Sequence, residues 1–144
     1  MTKHLTKQIS KFLFSQIFTI EWYDGDTQAL AKFSNNEEWY LCSLIYIDFK
    51  RKERIFQAIM VQEAWSKKII DDLNENSYSK IKRRIKYKFS KHSSDIYLLK
   101  AHSLSDKHIK SRKVSNKHLI YYSDIDKIIN QPKRTMDKWV KFFK

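Results

Sequence analysis

The chain of 144 residues carries a formal net charge of +13, and 42% of its residues are hydrophobic. This length and hydrophobic content predict one compact domain, residues 1–144, with a sizeable core. The composition of one glycine, one proline and one cysteine (Cys42) excludes an intramolecular disulfide. It also excludes P-loop, Rossmann and nucleophile-elbow sites, which need glycines at fixed positions.

The opening segment MTKHLTKQISKFLF has the lysines of a secretion signal, but no apolar stretch of about 7–15 residues follows it. No apolar run reaches the roughly 18 residues that a transmembrane helix needs. With a lone cysteine and no zinc-type cysteine pairs, we expect a cytoplasmic protein with no cofactor, no metal site and no membrane contact.

Charge is unevenly distributed along the chain. Residues 21–76 hold 11 acidic and 7 basic residues, whereas residues 77–144 hold 19 basic and 5 acidic residues. An AT-rich coding sequence accumulates lysine without function, but it does not explain why the acidic residues concentrate in one half. The asymmetry therefore favours a polyanion-binding surface in the second half.

Residues 1–61 are predicted to form a four-stranded antiparallel β-meander. Apolar and polar residues alternate over 12–23, which is typical of a strand, and Asp24-Gly25 is suited to a hairpin turn with positive φ. Residues 28–34 return as a second strand. The third strand, 37–49, is apolar on both faces and is therefore expected at the centre of the sheet, with Trp39, Leu41, Ile45 and Ile47 buried. Residues 54–61 complete the meander.

The helical pattern begins after the meander, in residues 62–84. Val61, Trp65, Ile69 and Leu73 recur every four residues, which predicts an amphipathic helix over 62–75 that covers one face of the sheet.

The stretch SKIKRRIKYKFSKH, residues 79–92, fits two structures. As a helix it places Ile81, Ile85 and Phe89 on one stripe, whereas as a strand it alternates Ile85, Tyr87 and Phe89 with lysines. We favour a helix through about residue 84, followed by a hairpin that pairs 85–90 with 95–102.

Residues 103–144 are predicted to be a basic helical region. Ser105 is suited to cap a helix over 106–113, residues 118–130 have helical spacing, and Thr135 is suited to cap a last helix after Pro132. The whole chain is thus predicted to be an α+β domain, with an antiparallel sheet, an amphipathic helix, a further hairpin and C-terminal helices.

Basic residues interleaved with tyrosines predict a surface that contacts DNA or RNA. Lysine and arginine side chains that neutralise phosphates release counterions, and tyrosines stack on unpaired bases. The candidate phosphate contacts are Lys80, Lys82, Arg83, Arg84, Lys86, Lys88, Lys91, Lys110, Arg112, Lys113 and Lys117. No helix-turn-helix, zinc-finger or RNP-type motif is present, so sequence-specific readout is not expected.

A metal-dependent nuclease is the weaker alternative. Asp24 or Asp26 after the first strand, with Asp48 and Lys50 at the end of a central strand, loosely resembles the spacing of a PD-(D/E)xK metal site. Such a site needs two carboxylates on a divalent ion and a lysine near the attacking water. The chain departs from the pattern because the proline-aspartate pair is missing. We therefore assign no catalytic residue.

A protein-binding module is the other alternative. Small lysine-rich proteins of this size include phage or mobile-element inhibitors and accessory subunits, whose basic face docks on an acidic protein. The sequence alone thus predicts a non-enzymatic binding protein whose partner is nucleic acid, within a ribonucleoprotein or defence-related complex, or else an acidic protein.

Overall fold

The computed structural model describes residues 12–144, which form six strands, four α-helices and one short 3₁₀ turn. The strands are β1 (Phe14–Trp22), β2 (Asp26–Phe33), β3 (Trp39–Asp48), β4 (Glu53–Val61), β5 (Ile96–Ala101) and β6 (Lys110–Val114). The helices are α1 (Glu63–Asn74) and α2 (Tyr78–Lys91) between β4 and β5, and α3 (Ile125–Ile129) and α4 (Lys133–Lys141) after β6. The 3₁₀ turn spans Asn116–His118.

The six strands form one antiparallel sheet in chain order, β1-β2-β3-β4-β5-β6. The predicted meander and the α+β class are confirmed. Phe12, just before β1, forms an isolated antiparallel bridge with Ile109, just before β6. Because β1 and β6 lie at opposite ends of the strand order, the sheet curls until its two edges meet at this bridge.

The two faces of the sheet carry separate cores. The α1 and α2 helices and α4 cover one face, where Leu41, Ile59 and Ile85 are fully buried and Trp139 is nearly so. The other face is filled mainly by the sheet's own side chains. Its small residues (Ala29, Ala31, Ala58 and Ala101) lie beside aromatic ones (Phe12, Tyr40 and Phe56). The small side chains leave room for the aromatic ones as the strands curl around this face.

A β-bulge in β3 changes which face its last residues occupy. Leu44 pairs with Phe56 and Tyr46 pairs with Ile55, so Ile45 is the extra residue. Ile45 is fully buried on the helix-covered face, as predicted. Ile47 is only half-buried and packs on the other face. Its predicted place beside Ile45 is wrong because an extra residue reverses the alternation.

Buried polar side chains fix the ends of the sheet. Arg54, only 7% exposed, donates hydrogen bonds to the carbonyl oxygens of Tyr23, Asp24 and Asp26 at 2.8, 2.8 and 3.0 Å. These carbonyls belong to the predicted β1–β2 turn, where Asp24 and Gly25 have φ of 51° and 132°. A Cβ at position 25 would lie 3.1 Å from the guanidinium carbon of Arg54, so both the turn and this contact favour glycine.

Gln131 holds the C-terminal helices against the sheet through hydrogen bonds. Its Nε2 donates to the carbonyl of Ile45 at 2.7 Å, and its Oε1 accepts from Tyr122 Oη and Trp139 Nε1 at 2.9 and 3.0 Å. One buried amide therefore anchors α4 to the bulge in β3.

The hairpin predicted for residues 85–102 is wrong in its first strand. Residues 85–90 continue α2 to Lys91, because Ile81, Ile85 and Phe89 at four-residue spacing form the buried stripe of one helix. A further hairpin does follow the helices, but its strands are β5 and β6. In addition, β5 pairs with β4.

The region after residue 103 is less helical than predicted. Residues 110–114 form the strand β6, in place of the helix predicted over 106–113. The helix predicted over 118–130 is reduced to α3, which Asp124 caps by accepting from the backbone N–H of Lys127. Thr135 lies inside α4 instead of capping it, since the helix begins directly after Pro132.

Candidate nucleic-acid interface

The buried stripe of α2 determines where each basic side chain of that helix lies. Successive residues turn by about 100° around an α-helix, so burial of Ile81, Ile85 and Phe89 forces the lysines and arginines to the flanks and the solvent side. The helix contains no acidic residue among its 14 positions. All of its charged side chains are therefore basic.

One flank of α2 faces α1, and an open groove of about 580 Å³ runs between the two helices. We call it the α1–α2 groove. Its basic residues are Lys68, Lys80, Arg83 and Arg84, and its aromatic residues are Trp65 and Tyr87. Tyr87 is 65% exposed and so offers a free ring face to a ligand.

Ion pairs and ring contacts hold the walls of the groove together. Arg84 Nε donates to the buried carboxylate of Asp72 at 2.7 Å, and this contact joins the two helices. Lys88 Nζ lies 5.2 Å from the centre of the Trp65 ring. A cation over an indole ring is attracted to its electron-rich face, so Lys88 fixes the tryptophan at the edge of the groove.

The opposite flank of α2 faces β1. Lys82 Nζ lies 3.6 Å from a carboxylate oxygen of Glu21, and Lys86 follows one turn later on the same side. These two predicted contacts lie outside the groove. Lys91, exposed at the end of the helix, lies 5.6 Å over the Tyr87 ring.

The predicted contacts on β6 are divided between two faces. Alternation along the strand puts Lys110 and Arg112 on the same side as Val114, which packs against the helix-covered core. Lys113 points the other way, beside its cross-strand partner Tyr97. Lys117 is exposed in the 3₁₀ turn. These residues therefore do not share one face, and their contact with nucleic acid stays a prediction.

A second cleft, of about 820 Å³, opens at the end of the sheet where α2 meets β5. We call it the end cleft. Lys88 and Lys113 line it together with Glu38, Met60 and Tyr97. Burial and the nearby Glu38 carboxylate raise the pKa of Tyr40, whose phenol donates to Glu38 Oε1 at 3.1 Å. The phenol thus stays a hydrogen-bond donor at neutral pH.

Asp26 and Asp48, two of the nuclease candidates, accept hydrogen bonds within the hairpins of the sheet. Asp24 and Asp48 line one cleft of about 450 Å³, with Arg54 at its base. Asp48 Oδ1 accepts from the backbone N–H of Lys50 and of Arg51, each at 3.1 Å. Asp26 accepts from Thr19 Oγ1 at 2.5 Å. Within residues 12–144, no three histidine, cysteine, aspartate or glutamate side chains are grouped to hold a metal ion.

The groove includes residues that sequence reasoning missed. The sequence pattern places Trp65 on the apolar stripe of α1, and only the packing of α1 against α2 brings Trp65 and Lys68 to the basic flank of α2. Cys42 is a fully buried apolar residue, and burial raises the pKa of its thiol far above the ordinary range. No helix in the described part of the chain is long and apolar enough to cross a membrane.

Comparison of the chain with protein-family models, curated proteins and solved structures finds no match.

Proposed function

We propose that this protein binds single-stranded nucleic acid, and that the α1–α2 groove is the contact surface. The observation that carries this proposal is the composition of the groove, which combines four cationic side chains with two aromatic rings on adjacent helices. Single-strand binding sites use this combination, because the cations follow the backbone while the rings stack on the bases.

The electrostatics of the groove suit a phosphate backbone. Asp72, the acidic residue that joins α1 to α2, is already paired with Arg84, so its charge is neutralised. Lys68, Lys80 and Arg83 are exposed, and no ion pair with an acidic residue of the described chain holds them. Each one that reaches a phosphate releases counterions and contributes salt-dependent affinity.

The aromatic residues distinguish single strands from duplexes. An exposed ring such as Tyr87 stacks only on a base that is free of its own neighbours, whereas paired bases present their edges to a protein. Stacking contributes about 1–3 kcal/mol per base, which is roughly 5- to 150-fold in affinity. We therefore expect preference for single strands without strong sequence specificity.

The test is a comparison of Tyr87→Ala with Tyr78→Ala in fluorescence-anisotropy titrations. Both variants remove an exposed tyrosine from α2, since Tyr78 is 47% exposed, but Tyr78 does not line the groove. We expect Tyr87→Ala to bind a single strand at least fivefold more weakly and to bind a duplex unchanged. Tyr78→Ala is expected to resemble the wild type with both ligands.

Equal weakening by the two variants would argue against the groove. Absence of binding by the wild type, beyond that of a size-matched basic protein, would contradict the proposal. The basic surface of α2 would then be better explained as a docking face for an acidic protein. The proposed activity is binding and not cleavage, since Asp48 is occupied in a turn.

A further inference from the structure

The end cleft differs from the groove because it combines carboxylates with cations and apolar side chains. Glu38 and Asp95 contribute carboxylates, Met60 and Tyr97 contribute apolar surface, and Lys88 and Lys113 contribute positive charge. A ligand that satisfies all of these groups needs an anionic part, a flat apolar part and hydrogen-bond donors.

The apolar part of the cleft consists of two neighbouring side chains on one face of the sheet. Ala58 of β4 pairs with Tyr97 of β5, so Met60, two residues further along β4 on the same face, is the diagonal neighbour of Tyr97. Diagonal neighbours in an antiparallel sheet are about 7–8 Å apart. Both side chains line the cleft, so one planar ring bound there can contact the two of them. Met60 is 53% exposed and is therefore accessible from solvent.

Hydrogen bonds hold the Glu38 carboxylate in place. Asn36 Nδ2 and Tyr40 Oη donate to its Oε1 at 2.6 and 3.1 Å, and the backbone N–H of Glu38 donates to Asn36 Oδ1. A carboxylate has about four lone-pair sites, and these contacts use only Oε1. Oε2 accepts none of these bonds, and Glu38 lines the cleft, so we infer that Oε2 is the acceptor for a ligand there.

The cationic part of the cleft lies beside these apolar side chains. Lys113 is the cross-strand partner of Tyr97, and Lys88 approaches the same cleft from α2. Lys88 also borders the α1–α2 groove through its contact with Trp65. A nucleic-acid chain that lies in the groove would pass Lys88 before it reaches the cleft.

We propose that the end cleft binds one nucleotide whose base carries an exocyclic amino group, with the base between Met60 and Tyr97. Glu38 accepts from the amine, and Lys88 and Lys113 contact the phosphate. Guanine, adenine and cytosine have such an amine, whereas uracil and thymine have carbonyl oxygens in its place. This inference extends the proposed function to the base preference of one subsite, and it rests in part on that function.

The test measures binding of guanosine, adenosine, cytidine and uridine 5′-monophosphates by isothermal titration calorimetry. We expect the wild type to bind the three amine-bearing nucleotides at least fivefold more tightly than uridine monophosphate. Glu38→Gln keeps an oxygen that accepts from Tyr40 but replaces the other oxygen with an amide donor. The variant should therefore lose this preference.

Two further variants complete the design. Glu37→Gln removes the adjacent carboxylate, which is 78% exposed, pairs with Lys32 and lies outside the cleft, so it should keep the wild-type preference. Lys113→Ala should weaken all four nucleotides by a similar factor, because it removes a phosphate contact and not a base contact. Equal binding of the four nucleotides by the wild type, or an unchanged preference in Glu38→Gln, would overturn the inference.

A thymidine-only single strand separates this inference from the proposed function, since thymine has no exocyclic amine. Binding of that strand with no detectable binding of any monophosphate would overturn the cleft while supporting the groove. Selective binding of monophosphates without binding of the strand would overturn the groove and support the cleft. Thermal melting of each variant confirms that the comparison is between folded proteins.

Discussion

The clearest structural prediction concerns Arg54, whose guanidinium is buried beneath the β1–β2 turn. Replacing it with methionine, which has a similar length, removes the three hydrogen bonds to the carbonyls of Tyr23, Asp24 and Asp26. A hydrogen bond to a charged group contributes about 1.5–3 kcal/mol, so three independent bonds would contribute about 4.5–9 kcal/mol. Two effects reduce that value.

The first effect is solvation of the turn, because Tyr23 is 44% exposed and water can replace the guanidinium at its carbonyl. The second is the burial of Arg54 itself, which lowers its pKa by desolvation and so already destabilises the charged form. We therefore expect Arg54→Met to lower the free energy of unfolding by about 2–4 kcal/mol. Arg54→Lys should recover little of this loss, since an ammonium cannot span three carbonyls as a planar guanidinium does.

The assay is urea unfolding followed by circular dichroism, with Arg51→Met as the matched control. The Arg51 side chain is 76% exposed and its nearest approach to Asp48 is 3.9 Å, so its loss should cost under about 1 kcal/mol. Hydrogen exchange at the β1–β2 turn should accelerate in Arg54→Met alone. A loss below about 0.5 kcal/mol for Arg54→Met would refute the inference that this arginine holds the turn.

Three further predictions test the core, a loop and the nuclease alternative. Ile45→Ala should lower the free energy of unfolding by about 2–5 kcal/mol in urea, as expected for a fully buried isoleucine, and an unchanged stability would contradict the assignment of the bulge. Asp106→Ala should cost about 0.5–2 kcal/mol at neutral pH, because Asp106 accepts from the backbone N–H groups of His108 and His102. These bonds hold the pKa of Asp106 below its ordinary value. Its contribution to stability is therefore present above pH of about 4 and is lost as the pH falls through the lowered pKa. A loss of stability in Asp106→Ala that stays constant down to pH 2 would contradict this role of the carboxylate. The double variant Asp48→Asn with Lys50→Ala should leave nucleic-acid binding unchanged within twofold, and divalent-metal-dependent cleavage by the wild type that the variant lacks would establish the nuclease alternative instead.

Much of the sheet could be predicted because strand alternation is a local signal. The two apolar faces of β3 correctly predicted that this strand lies inside the sheet. The lone glycine correctly predicted the position of the first turn. The strand β6 could not be predicted in the same way, since KSRKV is short and three of its residues are basic. Its strand conformation depends on pairing with β5, which is a contact between distant residues.

The helix α2 shows how two local signals compete. Residues 85–89 fit both a strand alternation and a helical stripe, and the stripe prevails because Ile81 and Ile85 are both needed to cover the sheet. The same outcome changes the candidate site. A helix divides the basic residues between two flanks, so Arg84 joins the groove whereas Lys82 pairs with Glu21. The contribution of Trp65 and Lys68 could not be predicted, since it depends on how α1 packs against α2.

The central claim is that nucleic acid lies in the α1–α2 groove, and charge removal there tests it. A groove variant with Lys68→Ala, Lys80→Ala and Arg83→Ala removes three exposed cations that line the groove. Arg84 is kept, because its loss would leave the buried carboxylate of Asp72 without its partner. Each phosphate contact contributes about −0.7 to the slope of log affinity against log salt for single strands.

The matched control variant carries Lys110→Ala, Arg112→Ala and Lys117→Ala, which remove the same net charge from exposed positions outside the groove. The decisive measurement is the salt dependence of single-strand affinity, by fluorescence anisotropy between 50 and 200 mM salt, for both variants and the wild type. We expect the slope to flatten by about 2 in the groove variant and by less than about 0.7 in the control variant. Equal flattening in both variants, or no salt-dependent binding by the wild type, would contradict binding in the α1–α2 groove.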